Sequence, residues 1–268
     1  MANVRKTLRT GGAMNLATTF SLLMAGLLGC TPFAHALTLC YEDARNTLGN
    51  TSDRQAQNYH LVMQAAAKSG EQVKLLPLPW KRCLSQVAKG LVDGALDASY
   101  TEERAAFAAY PTTADGKPDP KRRIWAGGYS LYKLKTSAAG WDGQNFTHLT
   151  GPVGLQLGYS IGDDLKRLGV PVAEFSGDAE VMLKRLTAGQ VPLVALLTDE
   201  GDALLEDPAL SGVVEGIQPA FSQKPYFVIF HKRYYADHQK NVEGFWSHLA
   251  TVRESQAFKQ FVRAQLKK

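Results

Sequence analysis

The sequence is poor in the features that mark most enzymes and nucleic-acid binders. Its 268 residues hold three cysteines, no Gly-rich phosphate loop and no His or Cys spacing typical of a metal site. After residue 36 no apolar run approaches the length of a membrane span. Internal repeats and low-complexity tracts are also missing. These absences argue against a metal, nucleotide or other cofactor. A charge excess of one sign is lacking as well: the formal +5 falls to +2 once residues 1–36 are set aside, with 27 Lys and Arg facing 25 Asp and Glu. Mixed signs without a basic stripe read as a solvated surface, so no nucleic-acid partner is expected.

What is present begins with an export segment. Arg5, Lys6 and Arg9 precede an apolar run from Leu16 to Leu28, and Ala34-His35-Ala36 closes it. That is the three-part plan of a secretory signal cleaved after Ala36, which sends the chain to the periplasm. Leu27-Leu28-Gly29-Cys30 also resembles a lipobox, so a lipoprotein acylated at Cys30 is the alternative. Either route leaves Cys40 and Cys83 as an even pair in an oxidising compartment, which suggests a disulfide; two separate buried thiols are the other reading. The mature 232 residues, in a chain 45% hydrophobic, are enough for one large domain or two modest lobes.

The mature chain alternates strands and helices. Leu37 to Tyr41 reads as a buried strand, Arg54 to Lys68 as a helix, Val73 to Leu76 as a strand, a helix follows that Pro79 lets start near Trp80 and Gly90 stops, and Gly94 to Ala98 reads as a strand. Such alternation implies parallel strands with crossover helices. After a polar loop and a strand-like run from Ile124 to Leu134, the pattern restarts over Val153 to Leu197. Tyr226 to His231 gives a further strand, and two helical patterns close the chain. The expectation is an α/β protein of two lobes: 37–132 with 223–268, and 133–222.

The run from Trp80-Lys-Arg-Cys-Leu through Asp93-Gly-Ala-Leu-Asp-Ala-Ser-Tyr-Thr-Glu-Glu-Arg104, followed by Tyr110-Pro111, resembles the family 3 extracellular solute-binding proteins. That resemblance implies the two-lobed periplasmic-binding-protein fold (type II), each lobe a mixed sheet flanked by helices. Two hinge strands near Tyr129 to Leu134 and Pro225 to Phe230 would join the lobes. It also implies polar amino-acid transport: a small ligand, an amino acid or small organic acid, captured between the lobes for an inner-membrane ABC transporter permease or sensor. A monomer is expected.

Within that frame, Arg104 matches the carboxylate-binding arginine, since a guanidinium offers paired N–H donors with a fixed charge. Ser99 and Thr101 follow a strand end, where ligands gather in open α/β sheets. Trp80 takes the place of the ring that covers the ligand. Gly158, Tyr159 and Ser160 stand where backbone N–H groups at a helix start meet the ligand carboxylate. Glu42 and Asp43 align with the side-chain-selecting acid, and they also fit a plain turn. At the position expected for the ammonium-binding aspartate the chain has Leu197, with Asp199 two places on; Asp97 is the substitute, provided its strand phase turns it toward the cleft.

Two other classes stay open. Gly158-Tyr-Ser160-Ile-Gly162 spells a nucleophile elbow, with Asp199 and His231 or His238 following in the order of a serine hydrolase, although no oxyanion motif precedes it. Leu197 also fits a ligand-free scaffold with a degenerate cleft. The dehydratase branch of the same fold lacks any marked general acid here.

Overall fold

The computed structural model describes residues 36–42 and 50–265. Residues 1–35, with Cys30 and nearly all of the export segment, and Asp43 lie outside the described residues.

In chain order the first elements are β1 (Leu37–Glu42), α1 (Asn50–Ser69), β2 (Val73–Leu78), α2 (Trp80–Ala88) and β3 (Gly94–Ser99). Next come α3 (Glu102–Phe107), β4 (Ala108–Ala109), β5 (Trp125–Leu134), β6 (Gly140–Trp141) and β7 (Phe146–Thr147). The second α/β run follows as β8 (Val153–Gln156), α4 (Ile161–Arg167), β9 (Val172–Phe175), α5 (Ala179–Thr187), β10 (Leu193–Leu197) and α6 (Thr198–Leu204). The chain ends with α7 (Pro208–Ser211), β11 (Val214–His231), α8 (Lys232–Asp237), α9 (Gln239–Glu254) and α10 (Gln256–Gln265).

The main sheet has the order β2-β1-β3-β11-β5-β10-β8-β9, with β4 added on β11. Its two ends are parallel triplets. β1 lies between β2 and β3, and β8 lies between β10 and β9. A strand with neighbours on both edges and cover on both faces reads as nearly all apolar, which is why Leu193 to Leu197 is unbroken and buried throughout. The antiparallel strands β5 and β11 belong to both ends: Tyr226 to Phe230 pairs with β3, Val214 to Ile217 with the end of β5, and β5 with β10. The result is a two-lobed α/β fold in which two strands run through both lobes. β11 starts at Val214, well before the apolar stretch at Tyr226, because Gln218, Ser222 and Gln223 hide its first half from a search for hydrophobic runs.

Each lobe packs helices on its sheet. α1 buries Leu61, Val62, Ala65 and Ala66, one helical stripe, against the core that also holds Phe245, Trp246 and Leu249 of α9. The chain therefore returns to its first lobe, and Trp246 Nε1 fixes α9 to β11 by donating to the Val228 carbonyl at 2.8 Å. In the second lobe Met182, Leu183 and Leu186 of α5 pack on Val194 and Leu196 of β10.

A disulfide joins Cys40 of β1 to Cys83 of α2, with Cα atoms 5.6 Å apart. It closes a segment of 43 residues and ties down the helix whose first residue is Trp80. Restricting so long a loop in the unfolded chain is worth about 2–4 kcal/mol. The double variant Cys40→Ala/Cys83→Ala is expected to lose that much in urea unfolding monitored by circular dichroism. Reduction of the native protein should reproduce the loss, and an unchanged midpoint would show that the bond constrains nothing.

Candidate functional site

All six parallel strands deliver their carboxyl ends to one place. Glu42, Leu78 and Ser99 end β1, β2 and β3, and Gln156, Phe175 and Leu197 end β8, β9 and β10. Between them lies a cavity of about 590 Å³ with walls from both lobes, including Glu42, Trp80, Asp97, Arg104, Gln156 and Glu200. Open α/β sheets place ligands outside strand carboxyl ends because side chains and free backbone groups converge there.

Asp97 reaches the cavity through a β-bulge. Ala98 pairs with Phe227 and Ala95 with Ile229, so Leu96 and Asp97 together oppose the single residue Val228. The extra residue takes φ +63°, unusual for a side chain larger than glycine, and this re-aims Asp97. Its Oδ1 accepts from Asn58 Nδ2 at 2.8 Å and from Trp125 Nε1 at 3.0 Å. Burial pushes its carboxyl up, against the pull of Arg54 and these two donors.

Arg54 organises the other acids. It projects from α1 across the face of Trp125, 4.4 Å from the ring centroid, and forms ion pairs with Asp199 and with Glu200 at 3.2 Å. Trp125 is in turn stacked on Tyr226 at 4.2 Å. Asp199 and Glu200 occupy the first turn of α6, and one residue is about 100° of helix. Glu200 accordingly lines the cavity, whereas Asp199 pairs with Arg54 and is absent from the wall. Leu197 lines it too.

Glu42 closes the ring of acids. Its Oε2 accepts from the Tyr159 hydroxyl at 2.6 Å, linking the two lobes, and Gln55 Nε2 donates to its carbonyl at 2.7 Å. Burial pushes its carboxyl up to about 7, although the Tyr159 hydrogen bond and Arg54 pull it down. Glu200 is likewise pushed up to about 7 by burial, with Arg54 opposing and Glu42 adding repulsion.

Arg104 lines the cavity and is also engaged by the chain itself. It is 5% exposed; Nη1 donates to the Ser99 carbonyl at 2.8 Å and to Ser99 Oγ at 3.1 Å, and Nη2 donates to the Gly158 carbonyl at 2.9 Å. Trp80 lines the cavity beside it, its Nε1 donating to the same Gly158 carbonyl at 3.2 Å. Gly158 offers that oxygen across the lobes from φ +81°, a conformation that favours glycine. Thr101 caps α3 by accepting from the Arg104 N–H at 3.2 Å and is not part of the main cavity.

The turn Gly158 to Ser160 is likewise engaged by the chain. Its Gly158 N–H donates to Glu174 Oε2 and its Tyr159 N–H to the Gln156 carbonyl, both at 3.1 Å, so these groups already serve the chain itself. Tyr159 contributes its ring and hydroxyl to the cavity instead. Ser160 accepts from Ser99 Oγ at 2.7 Å and lies 3.4 Å from Lys224 Nζ, which is ion-paired with Asp164. The hydrolase arrangement is not assembled: Asp199 is held by Arg54, His231 packs beside Gly90, and His238 lies against Tyr234.

The wall residues Arg54, Trp125, Tyr129, Gln156 and Glu200 carried no motif in the sequence. Glu200 alone had a usable signal, since the helical phase of the acidic pair after Leu197 separates an inner from an outer carboxylate.

No protein-family model matches the chain, and no curated protein matches it in sequence. Solved structures do match. A histidine kinase sensor domain with similarity to periplasmic binding proteins aligns with TM-score 0.66 at 14% identity, over 86% of this chain and 95% of that one. The arginine-, lysine-, histidine-binding protein ArtJ of Geobacillus stearothermophilus aligns with TM-score 0.64 at 14% identity, over 87% and 96%. An ancestral arginine-binding protein bound to arginine aligns with TM-score 0.61 at 18% identity, over 85% and 98%. The fold is thus that of the two-lobed binding proteins which the run from Trp80 to Arg104 resembles.

The buried acids set a pH dependence. Glu42 and Glu200 hold their protons up to about 7 in the folded chain and only to the ordinary carboxylate range when unfolded. The folded state therefore binds more protons, and their contribution is complete below the ordinary range and lost as pH rises to about 7. Urea midpoints are expected to fall between pH 5 and pH 8, and Glu200→Gln should flatten the decline. A midpoint that rises over that interval would contradict the assignment.

Proposed function

We propose that the chain is an exported solute-binding protein that captures a small polar solute between its lobes and presents it to an inner-membrane transporter or sensor. The observation that carries this reading is the cavity itself. It draws on the carboxyl ends of parallel strands from both lobes, so a solute inside it contacts both and favours their closure. Its volume of about 590 Å³ lies in the range of small-molecule sites. Export rests on the N-terminal segment, with cleavage after Ala36 or acylation at Cys30. The lobe boundaries are taken as 37–132 with 223–268, and 133–222. The protein works as a monomer without cofactor or nucleic acid.

Binding to the native state alone raises apparent stability, by about 2.7 kcal/mol at a hundredfold excess over Kd. A thermal-shift screen of amino acids, amines and small organic acids is expected to find such a solute. Asp97→Asn tests the site, because asparagine tolerates a left-handed backbone and keeps the shape while removing the charge. The variant should fold with a similar melting temperature and lose the ligand-induced shift. A full shift in this variant would remove Asp97 from the site, and a screen without hits would favour a ligand-free scaffold.

A further inference from the structure

If the cavity takes a solute, its walls say which kind. Four acidic residues line it, Glu42, Asp97, Glu200 and Asp178, the last with its Oδ1 capping α5 at Val181, against the two cations Arg54 and Arg104. Arg104 spends both Nη1 hydrogens on Ser99 and one Nη2 hydrogen on the Gly158 carbonyl, so only part of its fork is left to a solute carboxylate. Gly158 and Tyr159 have committed their N–H groups to Glu174 and Gln156. Much of the side of the cavity expected to receive an anion is thus engaged by the chain.

The remaining wall favours a cation. Trp80, Tyr129 and Tyr159 contribute aromatic surface, while Trp125 is already covered by Arg54 and stacked on Tyr226; cations are drawn to ring faces as well as to carboxylates. The chain displays the preference: the Arg54 guanidinium lies over Trp125 and pairs with Glu200. Gln156 adds an independent indication. It is 4% exposed; its Nε2 donates to the Tyr159 hydroxyl at 3.1 Å, and that hydroxyl donates to Glu42. This relay fixes the amide orientation and leaves Gln156 Oε1 a buried acceptor on the cavity wall without a donor. Among the described residues no three His, Cys, Asp or Glu groups converge closely enough to hold a metal ion.

We propose, resting on the solute-capture reading, that the cavity selects an organic cation, an amine or guanidinium on a short aliphatic chain, without an attached carboxylate. The carboxylates and aromatic faces hold the charged end, and Gln156 Oε1 accepts from one of its N–H groups. An added carboxylate meets an acidic wall and donors that the chain has largely taken.

Matched pairs that differ only by the carboxylate test this: arginine with agmatine, and lysine with cadaverine, titrated calorimetrically into the purified protein at pH 8. The decarboxylated member of at least one pair is expected to bind about tenfold or more tightly than its amino acid, a gap of about 1.4 kcal/mol. Amino acids that bind as tightly as the amines, or tighter, would overturn the cation inference while leaving solute capture in place. Binding of neutral or anionic solutes alone would do the same. A protein that binds none of these, nor anything in a broad solute panel, would overturn both readings.

Discussion

Withdrawing carboxylates from water is the condition to which most of the cleft answers. A buried ionised carboxylate is costly unless it is paired or well hydrogen-bonded, and here Glu42, Asp97 and Glu200 are all pushed up by burial. Arg54 acts on each of them and forms ion pairs with both acids in the first turn of α6. Its own position depends on Trp125, whose ring carries the guanidinium, whose Nε1 serves Asp97, and whose other contact is the stacked ring of Tyr226. One side chain from α1 thus links the end of β3, the start of β5 and the first turn of α6. Removing it would leave several buried acids facing one another across the cavity.

Compensation by Arg54 is incomplete, and this gives the cleft its character. One guanidinium distributed among Asp97, Glu42, Asp199 and Glu200 cannot neutralise all of them. The protein meets the remainder with neutral donors, Asn58 and Trp125 for Asp97 and Tyr159 for Glu42, and with protons held up to about 7 on Glu42 and Glu200. Neutral donors and protons are weaker partners than a second cation, so the site retains an affinity for positive charge that the chain itself does not satisfy.

The parts of this arrangement visible in the sequence are those set by periodicity. Alternating strands and helices marked the parallel strands, and hence the carboxyl ends at Glu42, Ser99 and Leu197. The helix opened by Pro79 placed Trp80, and it buries Trp80, Cys83, Leu84 and Val87 as its spacing requires. What stayed hidden depends on departures from period or on long-range contact. Strict alternation leaves the facing of Asp97 undetermined, and a bulge decides it. Arg54 lies on a helix of ordinary amphipathic pattern, and nothing local distinguishes a surface arginine from one spanning a cleft to residues 146 positions away. Gly158 to Ser160 fits an anion-binding helix start and a nucleophile elbow equally well. Its role is set by Glu174, Arg104 and Lys224, which the sequence does not place beside it.

The contacts across the lobes bear on how closure relates to selectivity. Arg104 and Trp80 hold the Gly158 carbonyl, Ser99 holds Ser160, and Tyr159 holds Glu42, all through groups of the chain itself. A ligand shifts an open–closed equilibrium only by what it binds better in the closed form, so these ties contribute to closure irrespective of the solute. Discrimination must then come from groups whose environment the solute changes. The candidates are the carboxylates: a cation placed among Glu42, Asp97 and Glu200 favours their ionised forms, releases protons and replaces repulsion with attraction. That gain exists only when both lobes contribute, because Glu42 and Asp97 lie on the β1 and β3 side and Glu200 on α6. Charge therefore couples solute to closure, and the backbone ties at Gly158 set how little of that coupling is needed.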